Sequence, residues 1–248
     1  MSRIRPFLNK HFEIHPVVFF VSAFLILLFI GITLAIGEPA RVYFERISTE
    51  VTAKGGWFLI LGVNVFLLVC AGLALSPLGN LRLGGQEAKP DFSRFAWFAM
   101  LFSAGMGIGL LFFSVAEPIT HFSNPPLDLE TDRQKAIWSM KYTFLHYGLH
   151  AWSIYAIVGI SLAYFTFNKK LPLTIRSVFY PLIGNKIHSR WGDLIDIIAV
   201  LATLFGLATS LGFGAQQINS GLNYLFNIPV GVGSQVVIIA LITGVATI

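Results

Sequence analysis

Predominantly apolar segments, each long enough to cross a lipid bilayer, occupy about residues 16–36, 57–76, 95–116, 137–167, 194–222 and 231–248. A membrane helix takes roughly 20 residues. The pattern therefore predicts six spans in an all-α integral membrane protein, the fourth and fifth long enough to tilt or protrude. Pro, Gly and charge clusters punctuate the gaps between the runs. The first run carries no A-x-A cleavage pattern, so it reads as a retained span rather than a signal peptide.

Charge sets the sidedness. Of 17 Lys and Arg residues, 11 lie in three segments: the N-terminus (Arg3, Arg5, Lys10), the gap at 77–94 (Arg82, Lys89, Arg94) and the gap at 168–193 (Lys169, Lys170, Arg176, Lys186, Arg190). On the opposite side, Arg41, Arg46, Lys54, Arg133, Lys135 and Lys141 are offset by Glu38, Glu45, Glu50, Asp128, Glu130 and Asp132. The positive-inside rule then makes the N-terminus of this multi-pass protein cytoplasmic. The last residues, Gly244 to Ile248, are still apolar and lack a basic anchor, which reads as an N-terminal piece of a longer protein.

Composition agrees with the lipid environment. Hydrophobic residues make up 55% of the chain and charged ones 12%, whereas a soluble domain carries about twice that charge. The sequence pI near 9.4 does not point to nucleic acid, because the basic residues form no stripe. The single cysteine, Cys70, lies in an apolar run and allows no disulfide within one chain.

Candidate chemistry begins in the third run with Ser103-Ala104-Gly105-Met106-Gly107-Ile108-Gly109. Each glycine costs a helix interior about 1 kcal/mol against Ala. Close helix packing would be served by Gly105 and Gly109 alone, but glycines at i, i+2 and i+4 do not share a face. Backbone that leaves the helix inside a membrane must be buried in protein or line a cavity. The run is therefore expected to expose carbonyls to a substrate or an ion. Glu117 follows, and its place before Pro118 and a polar loop favours an interfacial, structural carboxylate.

The fourth run holds His146-Tyr147-Gly148-Leu149-His150-Ala151-Trp152-Ser153-Ile154-Tyr155. On a continuous helix Gly148, Trp152 and Tyr155 share one face, a glycine beside two aromatics. Such rings attract cations and suit quaternary ammonium groups; an interfacial aromatic belt is the alternative. His146 and His150 have the spacing of a metal pair, but no HExxH and no Cys partner accompany them. Histidines hydrogen-bonded to neighbouring helices are the expected reading, with no metal site and no enzyme chemistry. The fifth run concentrates Thr203, Thr209, Ser210, Gln216, Gln217, Asn219 and Ser220, which pair with other helices or offer oxygens to Na⁺. Asp193 and Asp196 open that run, where a helix N-terminus stabilises carboxylates, and receive no transport role.

These blocks resemble the betaine/choline/carnitine transporter family. The resemblance is carried by Leu75-Ser76-Pro77-Leu78-Gly79, Leu81-Arg82-Leu83-Gly84-Gly85, Trp97 through Gly109, Ala116-Glu117-Pro118, His146 through Tyr155, and Phe205-Gly206 to Gly221-Leu222, collinear over essentially the whole chain. It implies an inverted-repeat secondary transporter of which this chain holds the first part. Residues 1–15 form the cytoplasmic N-terminus, 16–93 two extra N-terminal helices and a cytoplasmic loop, and 94–248 transmembrane helices 3–6, most of the first five-helix repeat.

The resemblance also assigns roles. Gly105, Met106, Gly107 and Gly109 would line the substrate site, with Trp152, Tyr155 and Tyr147 on the ammonium path. Carbonyls of Ser103 and Met106 would hold sodium, and Thr209 and Ser210 are further candidates. Tyr147 replaces a tryptophan common in the family, which weakens the pull of that ring. No cofactor is expected beyond Na⁺ or H⁺ as coupling ion. The implied partners are a small quaternary-ammonium substrate, membrane lipid and a homotrimer. Neutral Gly109 leans the substrate toward a zwitterion, glycine betaine or carnitine, rather than choline. An uncoupled, osmotically gated pore and a non-transporting fragment are the alternatives.

Overall fold

The computed structural model describes residues 14–247. The basic segment 1–13, on which the cytoplasmic N-terminus rests, lies outside the described residues. Every regular element among the described residues is helical. In chain order the α-helices are α1 (Pro16–Ile36), α2 (Glu38–Leu75), α3 (Arg94–Gly105), α4 (Ile108–Ser123), α5 (Asp132–Tyr147), α6 (Leu149–Ala163), the short α7 (Ile175–Val178) and α8 (Tyr180–Ile183), α9 (Arg190–Phe226) and α10 (Val232–Ala246), with 3-10 turns at Pro77–Asn80 and Gly184–His188. A π-helical turn, Tyr164–Asn168, extends α6.

Four stretches among the described residues are long and apolar enough to cross a membrane: Pro16–Ile36, Glu38–Leu75, Asp132–Asn168 and Arg190–Phe226. The pattern predicted six. The third run is divided at Met106–Gly107 into helices of 12 and 16 residues, and α10 reaches 15 residues. The gap at 37–56 is not a loop but the first half of α2. Arg41 Nε donates to Glu45 Oε1 at 2.8 Å and Lys54 Nζ pairs with Glu50 Oε2 at 2.5 Å, so alternating charges at i, i+4 carry the helix outward. Its 38 residues measure about 57 Å, well beyond the hydrocarbon core of about 30 Å.

The chain forms two compact units, one from Met1–Ala88 and His150–Thr203, the other from Lys89–Leu149 and Leu204–Ile248. In the first, Phe29 of α1 meets Phe44 of α2 at 5.6 Å between ring centroids. Cys70 Sγ approaches Ser153 O at 3.7 Å, and His150 Nε2 lies 3.3 Å from Asn64 Oδ1. These pairs advance together along both chains, so α2 and α6 run parallel. Gly84 N donates to Asn168 Oδ1 (2.9 Å), and Asn168 Nδ2 donates to Arg82 O (3.2 Å). The two basic gaps assigned to one side are thus bonded to each other.

The same unit buries an ionic cluster. The Arg176 backbone N–H donates to Asp196 Oδ1 at 2.9 Å and its Nε to Asp196 Oδ2 at 2.5 Å, while its Nη1 forms an ion pair with Asp193 Oδ1 at 3.1 Å. Arg176 and Asp196 are both buried. The two aspartates at the start of α9 therefore hold the preceding loop in place, beyond any interaction with their own helix terminus.

In the second unit α5 begins with a capping box, Thr131 Oγ1 accepting from Gln134 N (3.3 Å) and Gln134 Oε1 from Thr131 N (3.1 Å). α5 ends at Gly148, where a Cβ would stand 2.6 Å from Phe144 O. Only glycine fits this close approach. At the other end of the unit Asn219, fully buried, donates Nδ2 to Pro229 O (3.2 Å) and accepts from Gly231 N (3.1 Å). Asn219 therefore staples the α9–α10 turn, where the sequence left it open as part of a polar pathway. Asn219→Ala is expected to cost about 1–3 kcal/mol by stranding those buried groups. The reading is the unfolding midpoint in detergent; an unchanged midpoint would mean the turn holds without it.

Candidate functional site

The glycine run does leave the helix. Met106 N donates to Phe102 O at 2.8 Å and closes α3, while Leu111 N donates to Gly107 O at 3.2 Å and opens the ladder of α4. Between them Met106 (φ −88, ψ 38) and Gly107 (φ −72, ψ 176) are non-helical. The last carbonyls of a helix have no intrahelical partner, so the carbonyls of residues 103–106 are freed here, those of Ser103 and Met106 among them. The end of α3 and the start of α4 thus interrupt the helical hydrogen-bond ladder across a two-residue gap.

Neighbouring elements frame that gap. Tyr147, at the end of α5, donates its hydroxyl to Gly109 O at 3.1 Å. A Cβ at Gly109 would meet no heavy atom within 4 Å, so the space beside it is open. Phe213 of α9 stacks on Phe112 of α4 (5.2 Å, 28°) and meets Phe113 edge-on (5.4 Å, 77°). Thr209 lies one helical turn before Phe213, and Gly109 three residues before Phe112. Both sodium candidates on α9 therefore belong to the unit that holds the glycine run. Thr209 donates its Oγ1 proton to Phe205 O at 2.9 Å, which leaves the oxygen lone pairs as its contribution to a cation.

Trp152 and Tyr155 lie on α6 in the other unit, with ring centroids 5.7 Å apart and planes at 42°. They are 50% and 73% exposed. The helix breaks at Gly148 and restarts at Leu149, so the three residues expected on one continuous helix are divided between two elements. Helical spacing cannot carry across that break. The same break separates the two histidines of the imagined metal pair. His150 bonds Asn64, whereas His146 Nδ1 contacts Glu117 Oε1.

Glu117 is more engaged than an interfacial carboxylate. Its side chain is 13% exposed, and His121 Nε2 lies 3.3 Å from the Oε1 that His146 contacts. His121 in turn packs against Tyr142 at 5.4 Å. The ordered contacts of His121 with Tyr142, Glu117 with His146 and Gly109 with Tyr147 show that α4 and α5 are antiparallel. His121 escaped the sequence reading, although Glu117-x-x-x-His121 at i, i+4 on one helix was the available signal. A separate cavity of about 540 Å³ in the first unit is lined mostly by apolar side chains, Cys70, Leu73, Ile160 and Phe165 among them, with Ser161 and Tyr164 as its hydroxyl-bearing residues.

The family model of betaine/carnitine/choline transporters matches residues 17–248. The chain belongs to that family. Among curated relatives, glycine betaine transporter 1 of Vibrio parahaemolyticus is 45% identical over 242 residues, covering 96% of this chain and 46% of the relative. The high-affinity choline transport protein of Escherichia coli is 42% identical over 240 residues, 95% of this chain and 35% of the relative. Glycine betaine transporter OpuD of Bacillus subtilis is 48% identical over 194 residues, 78% of this chain and 38% of the relative. The chain thus spans less than half the length of each of these transporters. In this betaine/carnitine/choline family member the interrupted helix, the Tyr147–Gly109 bond and the Phe213 clasp all fall within the matched region.

Proposed function

We propose that this chain forms the first half of a secondary active transporter that imports a quaternary-ammonium compatible solute, with a zwitterion such as glycine betaine or carnitine favoured over choline. The observation that carries the reading is the helix interruption at Met106–Gly107. It frees carbonyls for a coupling ion and bares backbone beside open space at Gly109. The relatives' names, which speak of glycine betaine and choline, supply the substrate class. In this reading α1 and α2 are the two extra N-terminal helices, and the helices from α3 onward make up most of the first inverted repeat. The protein sits in the bacterial plasma membrane with its N-terminus in the cytoplasm, assembles as a homotrimer and couples uptake to Na⁺ or H⁺.

Accumulation of labelled glycine betaine in cells that lack their own betaine uptake and express the protein tests this. The expected result is accumulation above equilibrium that collapses when an ionophore dissipates the ion gradients. Uptake that stops at equilibrium would contradict coupling and leave an uncoupled pore.

The aromatic pair gives a second prediction. Trp152→Ala is expected to weaken glycine betaine affinity by about 1–2 kcal/mol, the value of a cation over a desolvated ring. Equilibrium binding reads it, and unchanged affinity would return Trp152 to the interfacial aromatic belt.

A further inference from the structure

We propose that Glu117, His121 and His146 form a binding site for a divalent transition-metal ion of the zinc class. The argument stands on their geometry and is independent of the transport reading.

The three side chains converge from two packed helices. Glu117 and His121 stand one turn apart on α4, and His146 reaches them from the antiparallel α5. One donor atom from each, the carboxylate oxygen, His121 Nε2 and His146 Nδ1, lies within 4.8 Å of the other two. A tetrahedral zinc ion with bonds of about 2.0–2.2 Å places its ligand atoms roughly 3.3–3.5 Å apart. The 3.3 Å between His121 Nε2 and Glu117 Oε1 already has that separation. The His146 contact with the same oxygen opens to a similar distance as the ion enters between them.

Donor chemistry selects the metal. Two imidazoles and a carboxylate suit zinc, cobalt, nickel or copper, whereas magnesium and calcium call for oxygen ligands throughout. Three protein ligands leave a fourth position for water, an open site rather than a closed structural one. Access is available because the His146 side chain is 54% exposed while Glu117 is nearly enclosed. No Lys or Arg pairs with Glu117 among the described residues, so no built-in cation competes for the carboxylate. The Tyr142 ring packs against His121 with centroids 5.4 Å apart and planes at 38°. A bound ion would pin α4 to α5 and rigidify the helix that begins at the glycine interruption.

Cobalt titration of the purified, untagged protein in detergent tests the site. The expected result is the intense visible band of four-coordinate Co²⁺, saturating at one equivalent and displaced by Zn²⁺. His121→Asn should abolish the band and Glu117→Gln should weaken binding at least tenfold, while His15→Asn and His188→Asn leave it unchanged. Because Glu117→Gln also disturbs a packed cluster, thermal unfolding provides a second reading. Zn²⁺ should raise the melting temperature of the wild type, and His121→Asn should remove that shift without changing helix content. A weak, six-coordinate spectrum, or a four-coordinate band that persists in His121→Asn, would overturn the proposal and leave the three residues as a hydrogen-bonded cluster.

Discussion

Arg176→Ala is expected to lower the stability of the protein by about 3–5 kcal/mol, the usual cost of removing one partner from a buried ion pair. The guanidinium holds Asp196 through Nε at 2.5 Å and Asp193 through Nη1 at 3.1 Å, and it reaches Ile187 O at 3.4 Å. Among the described residues, removing it takes the only guanidinium partner from buried Asp196, which keeps just the residue-176 backbone N–H, and leaves Asp193 facing His15 Nε2 at 3.6 Å. It also frees the loop between the π-helical turn and α9, since α7 is only four residues long and cannot hold its own position. Unfolding monitored by helical circular dichroism in mixed micelles measures the effect. The triple variant Arg176→Met, Asp193→Asn, Asp196→Asn should recover much of the loss, because apolar or neutral replacement of a whole buried cluster costs far less than breaking it. A single variant within about 1 kcal/mol of wild type would place the cluster in effective contact with solvent.

Gly107→Leu is the second large effect, and it concerns binding rather than folding. Gly107 has an extended backbone, φ −72 and ψ 176, which leucine adopts without strain. The replacement should therefore insert and fold normally. Its side chain would occupy the gap where α3 hands over to α4, in front of the freed carbonyls. Binding of glycine betaine, measured by intrinsic tryptophan fluorescence, is expected to be lost, with melting temperature and helix content preserved. Wild-type affinity in Gly107→Leu would remove the interruption from the binding site.

Much of this architecture is legible from one-dimensional patterns because lipid imposes strong rules. The run at 16–36 became α1 at the same bounds, and three glycines at alternate positions marked a real break in the helix. The charge count grouped the gaps at 77–94 and 168–193, and Asn168 joins them physically. Local propensity was overridden elsewhere. The charged stretch at 38–56 looks like a loop until its i, i+4 pairs are counted, after which it is a helix. At the Gly148 break a Cβ would stand against the Phe144 carbonyl, which no spacing rule reveals, and the break divides Gly148, Trp152 and Tyr155 between two elements.

Partnerships across distant segments were the least legible. Asn219 reads as one of several polar residues on a membrane helix, and only the position of Pro229 and Gly231 shows that it closes a turn. Asp196 reads as a helix-terminal carboxylate until Arg176, 20 residues earlier, folds onto it. His146 was weighed against His150 because they are close in sequence. The structure instead joins His146 to Glu117, 29 residues away.

The central claim is that residues 103–109 form one wall of a quaternary-ammonium site. Hydrogen–deuterium exchange of the detergent-solubilised protein, followed by mass spectrometry of the peptide covering this segment, tests it most directly. Saturating glycine betaine is expected to slow exchange in residues 103–109 while leaving the turn at 227–231 unchanged. Identical exchange of residues 103–109 with and without glycine betaine, in protein shown to bind it, would contradict the account.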